Sequence, residues 1–283
     1  MKALIIIFLT LGIFGGAAFV TYKMFVQPQM ALKREKALPP PPPPPDPTVP
    51  EFNKCVAIRK SGKVVEARDA FYGFVERYPE STKIEDAKNL LGELNTDIML
   101  STMAAPEKQV YIVQKGDVIT RVANRLKTTG ELLVRSNNLQ GPMLRIGQKL
   151  TISPGDFSLV ISRKHDKVTV LNKGKFFKQY AVLEWPPSHA KKPVGAKAAP
   201  AAKVTGKVTD KISWLNGGRV TFMEKGYMNS THWVQINIPG CTLHSVAEEN
   251  STQKPPGGGI RLTPDALDEL DAILAKGDPV TLE

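Results

Sequence analysis

Three side chains near the C-terminal end could do covalent chemistry together. Cys241 stands three residues before His244, and Ser245 follows directly. A thiol or hydroxyl within reach of an imidazole is a nucleophile–base pair that can attack a carbonyl carbon. On a regular strand the odd offset turns Cys241 and His244 to opposite faces, so Cys241 reads as a buried structural residue. Ser245 with His244 would be a dyad with no third group to orient the base. Downstream, Pro256-Gly257-Gly258-Gly259-Ile260-Arg261 offers a glycine run and one cation. None of the four histidines forms an H-E-x-x-H pattern, and two cysteines cannot make a Cys-only zinc site. No metal or cofactor is therefore expected. A Cys55–Cys241 disulfide stays open as an alternative in an oxidising compartment.

These residues belong to a chain of 283 residues, room for about two domains or several smaller ones. A hydrophobic content of 42% is enough for packed cores. The net charge of +11 is concentrated between residues 106 and 225, much of it in a Lys/Ala/Pro stretch from Lys191 to Lys211, whereas the last 58 residues are net acidic. A nucleic-acid platform needs aromatic stacking or a basic helix as well as charge, and neither accompanies this excess. No nucleic-acid partner is expected; an extracellular polyanion fits the charge equally well.

The N-terminus reads as a targeting segment. Ala3 to Val20 is an uncharged apolar run, nearly long enough for a bilayer core of about 30 Å. Residues 1–26 are thus expected to be a transmembrane anchor, with membrane contact through residues 3–22; a signal peptide cut near Gly16-Ala17-Ala18 is the alternative. Lys23, Lys33, Arg34 and Lys36 follow the run, which by charge alone would leave the bulk of the chain in the cytoplasm. Residues 27–50 form a Pro-rich linker. Its seven consecutive prolines, Pro39 to Pro45, favour stiff polyproline II, and Pro47 and Pro50 extend it.

Residues 51–105 carry helical spacing. Ala67, Phe71, Phe74, Val75 and Tyr78 make one stripe, and Ala87, Leu90, Leu91, Leu94 and Ile98 a second. Thr82-Lys83-Ile84-Glu85 has the form of a capping box. Gly62, Ala67, Phe71, Tyr78 and Pro79 resemble positions of a tetratricopeptide repeat. A single repeat leaves its apolar face needing a neighbour, so the module is expected to pack on the next domain, dimerise, or hold a protein partner.

The most specific pattern spans residues 109–153. An alternating strand at Tyr111-Ile-Val-Gln-Lys leads into a Gly116-Asp117 turn. Val122, Ala123 and Leu126 mark a short helix, Thr128-Thr129 a cap before Glu131–Ser136, and Asn137-Asn138-Leu139 its end. "LRIGQKLTI" returns as a strand. This βααβ order, with "YIVQKGDVITRVANRLKTT", "LLVRSNNL" and "LRIGQKLTI", resembles a LysM domain. The resemblance implies binding of N-acetylglucosamine glycans such as peptidoglycan. The groove would lie between Gly116, Asp117, Val118 and Ile119 on one side and Asn138, Leu139, Gly141, Pro142, Met143 and Leu144 on the other. Amides and an Asn side chain can pair with acetamido groups while Met and Leu cover the sugar's apolar face. The Asp117 carboxylate itself reads as a turn or cap group, and Asn137 as a helix C-cap.

From residue 156 to 283 the pattern turns to strands: Phe157–Ser162, Lys167–Leu171 and Phe176–Leu183, with Asn172-Lys173-Gly174 as a turn. "SLVISRKHDKVTVLNKGKFFKQYAV", "THWVQINIPGCTLHSV" and "GGGIRLTPDALDELDAILAKGDPVTL" resemble an L,D-transpeptidase domain. That family attacks a peptide carbonyl with a cysteine thiolate in a Ser-His-Gly-Cys-Ile-Arg motif. The resemblance puts Gly259 at the nucleophile position and Gly257 at the motif His. His244, Ser245, Gly259 and Arg261 would then be vestigial, with no catalytic residue expected. The segment from Pro186 to Gly206 reads as a loop beside this cleft.

The expected fold is multidomain α+β: an N-terminal transmembrane helix, a helical repeat-like module, a βααβ LysM unit and a mainly-β L,D-transpeptidase-like domain. The expected function is binding of peptidoglycan in the cell envelope, anchored at the inner membrane with the C-terminal bulk exported. Two alternatives are an active L,D-transpeptidase or peptidoglycan hydrolase using Cys241, or Ser245 with His244, and a basic protein facing the cytoplasm.

Overall fold

The two apolar stripes of residues 51–105 become helices of one three-helix module: α1 Val49–Lys60, α2 Val64–Arg77 and α3 Ile84–Met99. Phe52, Ala67, Phe71, Phe74, Ala87, Leu91 and Leu94 interlock between them, with the Phe52 ring edge-on to Phe71 and Phe74. Pro50 is not linker. It lies in the first turn of α1, where the missing amide hydrogen has no helical acceptor and so costs nothing. The expected capping box also fails. Lys83 occupies the cap position without a side-chain cap, while Ser81 Oγ accepts the Lys83 amide at 3.0 Å. Glu85 is drawn outward to Lys167 and Gln179.

The computed structural model describes Gly12 and residues 15–27, 29–30, 46–187, 203–246 and 258–283. They fall into two units, Met1–Asp46 and Pro47–Glu283. In the first unit the described residues between 12 and 30 are helical, with a π-helical turn at Tyr22–Val26. This corrects the expected fold class: among the described residues no helix is long and apolar enough to cross a membrane. The start of the apolar run, the seven prolines, most of the Lys/Ala/Pro stretch and Gly257 lie outside the described residues.

The second unit continues with β1 Gln109–Ile112, α4 Ile119–Arg125, α5 Gly130–Ser136 and β2 Lys149–Ile152. β1 and β2 pair antiparallel, Tyr111 opposite Leu150. Val113, Ile119, Val122, Leu133, Leu150 and Ile152 form the core beneath them. Thr129 caps α5 by accepting the Leu132 amide at 2.9 Å. Asn137 does more than end that helix. Its amide donates to the carbonyls of Leu133 (3.0 Å) and Thr151 (2.9 Å), and its oxygen accepts the Thr151 amide at 2.7 Å, tying α5 to β2.

A nine-stranded sheet follows: β3 Phe157–Ser162, β4 Lys167–Asn172, β5 Lys175–Ala181, β6 Val204–Leu215, β7 Gly218–Val220, β8 Thr231–Ile236, β9 Leu243–His244, β10 Ile260–Arg261 and, after helix α6 Pro264–Ile273, β11 Pro279–Leu282. The strand order is β10-β9-β8-β6-β11-β3-β4-β5, with β7 hairpinned onto β6. Val204 to Gly206, expected as loop, belong to β6, where their backbones pair with β11. Pro264 opens α6, Thr263 caps it by accepting the Ala266 amide, and Leu267, Leu270 and Ile273 are buried on the sheet.

The helical module covers the β5 edge. Tyr72 Oη donates to the Phe176 carbonyl at 2.8 Å and Asn95 Nδ2 to the Phe177 carbonyl at 2.7 Å. Two polar side chains thereby occupy carbonyls that an open edge would present to another strand. Of the three fates expected for the lone repeat-like module, packing on the adjoining domain is the one observed.

Candidate functional site

The two halves of the expected glycan groove have different surroundings. On the first side, Gly116 at φ +86° turns the chain from β1 toward α4, and the Asp117 amide closes the turn on Gln114. The Asp117 carboxylate accepts from Tyr111 Oη at 2.5 Å and the Gln114 amide at 2.8 Å, with Arg125 at 3.4 Å. The Tyr111 hydroxyl, then the Gln114 amide and Arg125, hold its pKa below the ordinary aspartate value. This carboxylate is a turn fastener. Val118 is exposed, while Ile119 is fully buried in the core and presents nothing to a ligand.

On the second side, Asn138 takes a left-handed φ of +51°, and the Leu139 amide returns to the Val134 carbonyl. Leu139 and Leu144 lean on the core, whereas Met143 is 88% exposed. The loop from Asn138 to Arg145 forms one wall of a cavity of about 850 Å³. The opposite wall is Phe222 to Tyr227 and Asn229, between β7 and β8. Residues 116–119 do not line it. The facing wall therefore comes from a segment nearly eighty residues downstream, which no local pattern announced. Phe222 can sit there because Gly130 lacks a Cβ, which would come within 2.6 Å of the ring.

The second candidate group lies on the sheet. Register aligns Ile212 with Trp233, Trp233 with His244, and His244 with Arg261, so one row crosses β6, β8, β9 and β10 on a single face. His244 is 3% exposed. Gly259 precedes β10 directly beside it. A Cβ at Gly259 would collide with the Thr242 carbonyl oxygen and come within 2.8 Å of His244 Cδ2. That same Thr242 oxygen accepts the Ile260 amide at 2.8 Å. Arg261 pairs with Glu184, Nε to Oε2 at 2.8 Å, and is held there by backbone bonds between the same segments. Ser245 is partly buried beyond the end of β9. Cys241 is not on a strand: Ile238-Pro239-Gly240-Cys241 is a β-turn with Gly240 at φ +73°. Its thiol is fully buried, and burial pushes its pKa up to about 11. Cys55 and Cys241 form no disulfide and sit in different cores, so the disulfide alternative falls.

A family model for the LysM domain matches residues 111–153. Residues 111–153 are a LysM domain. No curated protein sequence matches the chain. Among solved structures, it is similar to an L,D-transpeptidase from Mycobacterium smegmatis (15% identity, 49% of this chain and 64% of that one, TM-score 0.30). Another, from Stackebrandtia nassauensis, shows 19% identity over 47% of this chain and 57% of that one, TM-score 0.29. An Enterococcus faecium L,D-transpeptidase shows 14% identity over 69% and 83%, TM-score 0.29. The chain spans less than two-thirds of the first two structures' length.

The polar constellation with the most internal contacts here was not singled out by sequence. It joins the LysM domain to the sheet. Tyr227 Oη donates to Asp271 Oδ2 at 2.8 Å and to Glu131 Oε1, on LysM helix α5, at 3.2 Å. Lys211 Nζ donates to the Asp271 carbonyl at 2.6 Å and reaches Glu131 Oε1 at 3.0 Å. His232 Nδ1 is 2.9 Å from Ser213 Oγ and 3.4 Å from Asp271 Oδ2. Burial, then the Asp271 and Glu131 charges, raises the Tyr227 pKa and keeps its proton in place as a donor. These residues come from α5, β6, β8, α6 and a 3₁₀ turn at Tyr227–Asn229. The one legible signal was polar residues, Asp271 above all, inside otherwise apolar stripes.

Proposed function

We propose that the protein is a peptidoglycan-binding component of the cell envelope whose LysM domain holds N-acetylglucosamine units, and whose L,D-transpeptidase-like sheet does not carry out transpeptidation. The observation that carries the reading is the cavity of about 850 Å³ against the Asn138–Arg145 loop. Its size is in the range of small-ligand sites. Its Met and Pro side chains suit the apolar face of a pyranose, and its Asn and Gln amides suit acetamido and hydroxyl groups. Gly116 to Ile119 act as the support of the domain rather than as its contact surface.

The non-catalytic part of the reading is supported by the sheet's geometry. Nucleophilic attack needs a thiolate beside a base. Gly259 has no side chain, and the Cβ position there runs into the Thr242 carbonyl. Cys241 is buried with a thiol held protonated at neutral pH.

The test uses the whole chain, because the cavity has a wall from each domain. Sedimentation with purified sacculi and titration with N-acetylglucosamine oligomers should give a constant between micromolar and millimolar, roughly −8 to −4 kcal/mol. The double variant Asn138→Ala/Met143→Ala should bind at least tenfold more weakly at unchanged melting temperature. Equal binding by parent and double variant would sink the groove assignment.

A further inference from the structure

Next to the LysM cavity, the sheet carries a smaller pocket of about 280 Å³. Its walls are the Trp214 and Trp233 rings, Asn216, Asn229 and Thr231. The two rings lie with centroids 5.8 Å apart and planes tilted by 47°. Register places them on the face of the sheet that also carries His244, and opposite to His232 and Ser213. Asn216 is held rigidly: Leu215 pairs with Gly218 across a two-residue turn in which Asn216 and Gly217 both take positive φ, +52° and +80°.

We propose that this pocket is a second glycan subsite, taking one N-acetylated pyranose unit of the same strand that the LysM cavity holds. The inference rests on the glycan-binding reading above and adds a residue set outside the LysM domain.

Three features point to a sugar. Indole faces complement the apolar face of a pyranose, and asparagine amides with a threonine hydroxyl supply both donors and acceptors for its rim. No charged side chain lines the pocket. A stem peptide, with its carboxylates, would lose hydration there without an ionic partner, whereas a neutral sugar would not. The two sites are also contiguous. Asn229 lines both the 280 Å³ pocket and the 850 Å³ cavity, so a strand leaving one enters the other.

The test is titration of the full chain with N-acetylglucosamine oligomers of two to six units, read by tryptophan fluorescence and independently by calorimetry. Affinity should rise at least tenfold between the shortest and longest oligomers as the second subsite fills. Trp214→Leu removes the aromatic face and keeps an apolar side chain; Asn216→Gly keeps the positive-φ turn and removes the amide. Each should cut affinity for the longest oligomer threefold or more and leave the shortest unchanged, with Trp214→Ala abolishing the length dependence. A parent that binds oligomers sensitively to Asn138→Ala/Met143→Ala but insensitively to all three pocket variants would overturn the subsite and spare the LysM reading. Loss confined to the pocket variants would do the reverse. A parent that binds no oligomer overturns both, as would fluorescence change with a stem peptide in place of sugar overturn the ligand class.

Discussion

β8 and β9 present one histidine each to two unlike surroundings: His232 on one face of the sheet, and His244, paired to Trp233, on the other. His232 is buried in a network drawn from five elements, with Ser213 and Asp271 at its Nδ1 and Tyr227 edge-on to its ring at 5.1 Å. His244 faces a place where the backbone has closed in, because Gly259 lies against the Thr242 carbonyl and leaves no room for a side chain. Residue type is the same in both, and only the second stands beside Gly259. A histidine near a glycine-rich turn invites a chemical reading, yet it is His232 whose neighbours Tyr227 and Asp271 belong to the network that ties the LysM domain to the sheet. What separates them is the set of partners each fold position can assemble, not the identity of the side chain.

The largest expected effect breaks the first side of that comparison. Asp271 is completely buried, and its carboxylate and carbonyl receive Tyr227 and Lys211. Asp271→Ala takes a buried carboxylate away from the Tyr227 hydroxyl and from the Lys211 ammonium 3.8 Å away, while Lys211 keeps its bonds to the residue-271 carbonyl and to Glu131, and should destabilise the protein by about 3–5 kcal/mol. Chemical denaturation checks it, and a loss under 1 kcal/mol would mean the network is solvated.

A somewhat smaller effect concerns the turn before His244. Burial raises the Cys241 pKa from the ordinary value near 9 to about 11. The unfolded chain therefore loses its thiol proton first as pH rises. Stability is fully present below pH 9 and declines from there toward pH 11, by up to about 2–3 kcal/mol. Cys241→Ala should show a shallower alkaline decline in melting temperature than the parent. Parallel curves would place the thiol in contact with solvent.

The smallest effect sharpens the second side. Gly259→Cys forces a Cβ against backbone and should cost about 1–3 kcal/mol, measured as a lower melting temperature. Intact-mass analysis after carbapenem treatment should show no adduct on the parent. Because Gly259→Cys must displace the Thr242 carbonyl before its sulfur can approach His244, no adduct is expected there either. An adduct on the parent that disappears in Cys241→Ala would make Cys241 a nucleophile and reverse the comparison.

Local sequence determined a good deal of this protein. Periodicities of three to four and of two located the helices and most strands, since amphipathic burial is written in the order of neighbouring residues. The Gly116-Asp117 turn, the Thr129 cap and the Asn137 helix end were legible because each is satisfied within a few residues. Tertiary structure alone decided the rest. The far wall of the LysM cavity, the Glu131–Tyr227–Asp271 tie, the Tyr72 and Asn95 bonds to the β5 edge, and the tryptophan pocket each join residues separated by between 19 and 140 positions. Pro50 and Ser81 show the same limit at short range, where a proline enters a helix and a serine displaces the expected cap. Single residues in a sequence carry their own conformational preferences, but a buried polar group or a cavity wall exists only once distant segments supply its partner, and packing makes that choice.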